Sequence, residues 1–177
     1  MNEIEVKVIG FPKEKLLAKL EEVKAIFDCV EYQTNYLIDS SVKPLDPMKY
    51  MRIRETKVDE DLTTEFTIKK RRENQQARVN EELTVHIDDT ETLIYMLKEL
   101  GYDQLQRFNK VRSRYLLQGA RVELDEWEKD VLSYPYFEIE AESVERLQEV
   151  ITILEIPQQC ISTKSIGELR AEDTNRG

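Results

Sequence analysis

The sequence predicts an α+β fold built on a closed eight-stranded antiparallel β-barrel, a tunnel with a charged interior flanked by about three helices. Three observations point there. Short segments alternate between polar and apolar residues, the period of a two-faced strand and not of a helix. Most are joined by connections of hairpin length, which favours antiparallel neighbours. The polar faces are almost entirely ionic and sorted by sign from strand to strand, whereas an ordinary solvent face mixes Thr, Ser, Gln and both charge signs.

Glu3-Ile4-Glu5-Val6-Lys7-Val8 opens the chain as a strand with Glu3, Glu5 and Lys7 on one face. Pro12 then starts a helical pattern in which Leu16, Leu17, Leu20, Val23 and Ile26/Phe27 form an apolar stripe, predicting a helix to about Phe27. Tyr32 to Asp39 reads as the second strand, and Tyr50 to Arg54 as the third, with Arg52 and Arg54 opposite Met51 and Ile53. Glu65 to Lys69 is the fourth, after the acidic turn Asp59-Glu60-Asp61. Arg78 to Ile87 is the fifth, with Glu81 on its apolar side. A second helix follows Asp88-Asp89-Thr90, with Thr90 as N-cap, Leu93, Met96, Leu97 and Leu100 as stripe, and Gly101 as stop. Arg107 to Leu117 and Arg121 to Trp127 turn tightly at Gln118-Gly119-Ala120; Tyr136 to Ala141 is the last strand, and Val144 to Leu154 a helix capped near Ser143. Eight antiparallel strands suffice to close a small barrel, and closure removes the exposed edges an open sheet must defend.

The chain has 177 residues and 26 Lys plus Arg against 36 Asp plus Glu, a net charge of −10. One domain is expected over residues 1–170, with a polar, frayed tail at 171–177. An acidic chain argues against a general nucleic-acid binder, although a low-dielectric cleft can still focus a local basic field. There is no apolar run of about 18 residues to span a membrane and no basic start leading into an apolar stretch. Cys29 and Cys160 are too few for a disulfide framework, so a reduced, cytoplasmic protein is expected.

The charge layout carries the functional signal. If the first and last strands meet on closure, Glu3, Glu5, Glu138 and Glu140 converge and need a counter-cation; oxygen-only ligands suit Mg²⁺ or Mn²⁺ over zinc. Basic sets stand on other strands: Arg52 and Arg54, Lys69, and Lys110, Arg112 and Arg114, with mixed faces at Arg78 and Glu82 and at Glu123 and Asp125. A wall of Arg and Lys is what a polyanion with several phosphates requires, and together with a carboxylate-held metal it makes a site for phosphoryl or nucleotidyl transfer. The apolar faces (Ile4, Val6, Met51, Ile53, Phe66, Ile68, Val122, Leu124, Ile139) then point outward beneath the helices, and whatever they leave uncovered motivates a homodimer.

In order along the chain, these motifs resemble the CYTH family, the triphosphate tunnel metalloenzymes that include class IV adenylyl cyclases, thiamine triphosphatases and inorganic tripolyphosphatases. The E-x-E-x-K signature stands as Glu3-Ile4-Glu5-Val6-Lys7, followed by Gln33 to Asp39, Met51-Arg52-Ile53-Arg54, Phe66-Thr67-Ile68-Lys69, Arg78 through Glu82, Lys110-Val111-Arg112, Val122 through Glu126 and Phe137-Glu138-Ile139-Glu140. The resemblance implies a small-molecule triphosphate substrate in an eight-stranded tunnel, with Glu3, Glu5, Glu138 and Glu140, aided by Glu82 and Asp125, holding Mg²⁺ or Mn²⁺. Lys7, Arg52, Arg54, Lys69, Arg78, Lys110, Arg112 and Arg114 would bind phosphates, with Glu5, Lys7 and Glu82 in catalytic roles. An attacking water gives hydrolysis, the reading placed first; a ribose 3′-oxygen gives cyclic AMP and pyrophosphate. The sequence departs from the family in lacking a glycine between Trp127 and Tyr136, in reading Ser165-Ile166 near its end, and in extending the basic run through Lys70, Arg71 and Arg72.

Other residues have competing readings. The single His86 is either a proton shuttle or, more simply, a strand-end residue. Trp127, Tyr134 and Tyr136 either stack on a base or anchor packing. A barrel that merely sequesters polyphosphate would do better without Glu3, Glu5, Glu138 and Glu140, which repel an anion unless metal intervenes. A lipocalin-type carrier would need its apolar faces inward.

Overall fold

A computed structural model of the protein describes residues 2–72 and 76–174; residues 175–177 of the expected tail lie outside that range. Nine strands occur in chain order: β1 (Asn2–Val8), β2 (Ile26–Asp39), β3 (Lys49–Val58), β4 (Asp61–Arg72), β5 (Arg78–His86), β6 (Gln104–Leu117), β7 (Ala120–Trp127), β8 (Tyr136–Ala141) and β9 (Ile161–Ser162). Four helices join them: α1 (Lys13–Glu22), α2 (Thr90–Glu99), α3 (Val144–Ile153) and α4 (Ile166–Thr174). The sheet runs β5-β4-β3-β2-β6-β7-β8-β1, and β1 pairs back onto β5, which closes the predicted eight-stranded antiparallel barrel. The extra strand β9 pairs with Lys7 and Val8, beyond the stretch of β1 that β5 covers.

The core lies outside the barrel wall, as the inverted pattern requires. Val6, Val122, Leu124, Phe137 and Ile139 from β1, β7 and β8 pack with Leu16 and Leu20 of α1 and Leu147, Val150 and Ile151 of α3. On the opposite side, Ile38, Met51 and Ile53 are covered by Leu97 of α2, with Leu93 and Ile94 beside it. A third cluster joins Leu169 and Ile166 of α4 to Leu132, Tyr136 and Trp127. Each fully buried Leu, Ile or Phe here contributes about 1.5–3 kcal/mol. Outer positions with no helix above them, such as Leu62, Leu83 and Val85, remain exposed.

Several boundaries differ from expectation for identifiable reasons. The first helix stops at Glu22: Lys24 adopts φ 55°, and the Ala25 N–H donates to the Leu20 carbonyl, closing the end in a left-handed turn. Ile26 and Phe27 therefore begin β2 and are exposed, so they extend no helical stripe. The N-cap of α2 is Asp89, not Thr90, because the Asp89 carboxylate accepts from the Thr92 N–H while Thr90 starts the helix and donates its hydroxyl to Glu55. Ser143 caps α3 as predicted, accepting from the Arg146 N–H. Helix α4 is an element the sequence reading did not contain, and it carries residues 171–174 of the expected tail. No helix among the described residues is long and apolar enough to cross a membrane.

Candidate active site

Alternation along the strands turns Glu3, Glu5 and Lys7 of β1, Arg52 and Arg54 of β3, Lys69 and Arg71 of β4, Arg78 and Asn80 of β5, Lys110 and Arg112 of β6, and Glu138 of β8 into one cavity of about 560 Å³. Its outer end is ringed by Pro47, Met48 and Lys49 and by Ser165, Gly167, Glu168 and Arg170 around α4. Phe108, Trp127 and Tyr136 line the same end. Arg170 lies over the Phe108 ring at 4.3 Å, and Glu168 reaches Arg71 at 3.6 Å, so α4 is tied to two rims of the opening.

Inside, acids and bases interleave. The register sets Lys7 opposite Glu138 and Glu5 opposite Glu140, an acid–base pair followed by a pair of acids along the β1–β8 seam. Both Glu3 oxygens accept from Lys69 at 2.8 Å, and Asn80 donates to one of them. Lys7 reaches Glu138 at 2.9 Å and Glu5 at 3.3 Å, and Arg78 approaches Glu5 at 3.5 Å. Arg112 donates to Glu138 at 2.5 Å and to both oxygens of Asp125 at 2.6 and 2.7 Å; Lys110 adds a third bond to Asp125 at 2.6 Å.

Burial opposes ionisation of Glu3, yet Lys69 and Asn80 hold its carboxyl down at about 2. Glu138 also stays well below the ordinary carboxylate range, because Lys7, Arg112 and Lys110 outweigh its burial. Glu5 goes the other way: burial, with the negative Glu138 and Glu3 nearby, pushes it up to about 7 despite Lys7. Lys7 is raised, since Glu138 and Glu5 overcome the cost of burying its charge. Arg54 is brought down to about 10 by burial and by the neighbouring cations Arg52 and Arg112.

Among the described residues, Arg52 and Arg54 have no ion-pair partner. Arg52 Nε and Arg78 Nη1 are buried donors without an acceptor, and the Arg54 Nε–H goes to the neutral Asn35 Oδ1. Cationic donors facing a cavity with nothing to accept them fit an incoming anion.

The carboxylate side fits a cation less directly. No three His, Cys, Asp or Glu side chains among the described residues are grouped as a metal-binding set. The first and last strands do meet, with Glu5 opposite Glu140, but cations take up most of the carboxylates: Lys69 holds Glu3, Lys7 and Arg112 hold Glu138, and Glu140 is drawn to Arg121. Glu3, Glu5 and Glu138 nevertheless face one cavity, and Glu5 is raised first by burial and then by the negative Glu138 and Glu3. A set of carboxylate oxygens with no nitrogen or sulfur ligand suits a hard divalent ion.

Of the other expected site residues, Glu82 pairs with Lys69, Asp125 is wholly buried behind Arg112, and Arg114 bonds Glu31 and Glu123. None of these, nor Glu140, lines the cavity. His86 is 77% exposed, near Glu65. Trp127 donates to the Tyr136 hydroxyl at 3.2 Å, and Lys110 sits over its ring at 5.1 Å. Sequence reasoning missed Glu31 as a lumen residue because its face of β2 reads Glu31, Gln33, Asn35, too mixed in charge to stand out.

Fold and lumen together define a class: an antiparallel tunnel barrel whose apolar core lies outside and whose ionic residues lie within. The family profile of the CYTH domain matches residues 1–164, and the chain belongs to the CYTH family. It is 26% identical over 182 residues to a Methanocaldococcus jannaschii protein named "Putative adenylate cyclase MJ0240", covering 96% of this chain and 99% of that one. Among solved structures it is similar to the PH1819 protein of Pyrococcus horikoshii, with a TM-score of 0.82 at 21% identity over 96% of this chain and 98% of the other. It is also similar to HpAC1 of Hippeastrum, with a TM-score of 0.64 at 16% identity over 97% and 96% of the two chains.

Proposed function

We propose that this protein is a divalent-metal-dependent enzyme that hydrolyses a small triphosphate, either tripolyphosphate or a nucleoside or thiamine triphosphate. The observation that carries the reading is the pair of arginines Arg52, buried, and Arg54, half-buried, which face the cavity with no carboxylate partner among the described residues. Burying such charges is costly unless a ligand of opposite charge completes them. A chain of phosphates supplies that charge in several closely spaced steps, matching a cradle of Lys7, Arg52, Arg54, Lys69, Arg78, Lys110 and Arg112.

Glu3, Glu5 and Glu138 would hold Mg²⁺ or Mn²⁺, which when bound supplies charge neutralisation on phosphate oxygens. The protein's own groups do the rest. Fixed guanidinium donors orient the phosphates and stabilise the charge that spreads over them during transfer. Lys7, between Glu5 and Glu138, stays charged and bridges acids and phosphate. Glu5, the buried carboxylate beside Lys7 and Arg78, receives the proton of the attacking water. Glu82, directly opposite Lys69 on the neighbouring strand, holds Lys69 in place.

The description of the Hippeastrum protein as having a dominant triphosphatase activity supports hydrolysis. Cyclisation of ATP is the second reading, favoured by the name of the Methanocaldococcus jannaschii relative. Incubation with Mg²⁺ or Mn²⁺ and tripolyphosphate, thiamine triphosphate or ATP, followed by separation of the products, decides between them. Orthophosphate release is expected; cyclic AMP with pyrophosphate would reverse the order.

A further inference from the structure

We infer that the barrel is blind at the end away from α4, closed by a Glu31–Arg114–Glu123 layer, so that a phosphate chain enters only by a free end. The inference rests on the triphosphate reading and adds the polarity of binding and the class of substrate end required.

Arg114 Nη2 reaches Glu31 Oε1 at 2.5 Å and its Nε reaches Glu123 Oε1 at 2.7 Å, while Asp28 stands at 3.8 Å. Glu31 is further held by the Gln33 amide, and the second oxygen of Glu123 is held by Arg112. Glu31 and Glu123 are buried, whereas the Arg114 side chain is 24% exposed, so this is the last layer before solvent. On β4 and β5 the Thr67 and Thr84 hydroxyls lie 3.0 Å apart. The cavity lining stops short of all these residues, ending at Glu3, Asn80 and Arg112.

The electrostatics agree with the geometry. Arg114 already faces three carboxylates and has little left to offer a phosphate, which separates it from Arg52 and Arg54. A phosphate chain pushed past Arg112 would meet the buried carboxylates Glu31 and Glu123 and be repelled. Arg114 is therefore a positioning residue, acting through Glu123 on Arg112, and not a phosphate ligand. The free terminal phosphate goes in first, and any organic group stays at the α4 opening near Trp127 and Phe108.

The test is calorimetric binding to the whole protein at fixed free Mg²⁺, using phosphate chains of three, about 15 and about 60 units and the longest chain with both ends capped by a small amine. A blind cavity sees only two ends per chain, so the dissociation constant per chain stays within about threefold, and capping weakens binding by roughly tenfold or more. A through-tunnel offers every internal register, so affinity per chain would rise about tenfold or more with length and survive capping; that result overturns the inference. Failure of tripolyphosphate itself to bind overturns the triphosphate reading and this one with it. The triple variant Glu31→Gln, Arg114→Ala, Glu123→Gln, which removes both the bridge and the repelling carboxylates and is checked for folding by circular dichroism, is expected to acquire the length dependence; a folded variant that binds as wild type does removes the closure from this layer.

Discussion

Asp125 and Arg52 are both buried charges in the same barrel, and their removal has opposite expected effects. Asp125 is completely enclosed and accepts three short bonds from Lys110 and Arg112. Asp125→Ala leaves two buried cations uncompensated, so we expect a loss of about 3–5 kcal/mol in urea unfolding. Among the described residues Arg52 has no such partner, and Arg54 beside it is a like charge. Arg52→Ala should leave the unfolding midpoint unchanged or raised while KM for tripolyphosphate rises about tenfold or more; a destabilised variant would mean that Arg52 works as a structural ion. Glu138→Gln keeps size and shape but removes the charge that Lys7 and Arg112 share, and turnover should fall by about a hundredfold or more. Unaltered turnover would take Glu138 out of the site. These inward positions were legible because like charges recur every second residue on β1, β3, β6 and β8. Their pairing was not: which base intervenes between two acids depends on strand register, which alternation alone leaves open.

At the level of elements, the sequence misled where two periods overlap. Leu20, Val23 and Ile26/Phe27 fit a helical stripe, but Lys24 in the left-handed region turns the chain, and the last two become exposed strand residues. Lysine there carries a steric penalty that glycine escapes, so Lys24→Gly should stabilise the protein by about 1 kcal/mol, read as a higher urea midpoint. The cap of α3 was legible, since Ser143 precedes an apolar run; Ser143→Ala should cost about 1 kcal/mol by the same measurement, and no loss would mean the Arg146 N–H finds another acceptor. Helix α4 was invisible for a different reason. Only Ile166 and Leu169 anchor it in an otherwise polar segment, and its place is set by tertiary contacts: Leu169 buried beside Leu132, Arg170 over Phe108, and Glu168 between Ser165 and Arg71. No stripe announces a helix that packs through one buried leucine.

For the molecule as a whole, the balance of charge inside the barrel sets how stability responds to its surroundings. Glu3 and Glu138 have carboxyls held below the ordinary 4.5, so the unfolded chain takes up protons there before the fold does, and their contribution is lost as pH falls below about 4.5, that of Glu3 toward about 2. Glu5 has the opposite sign: raised to about 7, it favours the fold below 4.5 and loses that contribution as pH rises toward 7. Thermal melts of Glu5→Gln should therefore lack the decline between those values that the wild type shows. A bound polyanion acts on the other wall, where Arg52, Arg54 and Arg112 repel one another in a low-dielectric cavity. At a concentration of about one hundred times its dissociation constant, a ligand that binds only the fold adds about 2.7 kcal/mol. For a chain of this size that is a rise of about 5–10 °C in Tm. Raising KCl to the same ionic strength should not reproduce it, because mobile ions screen exposed pairs far better than buried ones. Equal stabilisation by KCl and by tripolyphosphate would place the responsive charges on the acidic exterior, and the inward-facing arginines would no longer account for ligand binding.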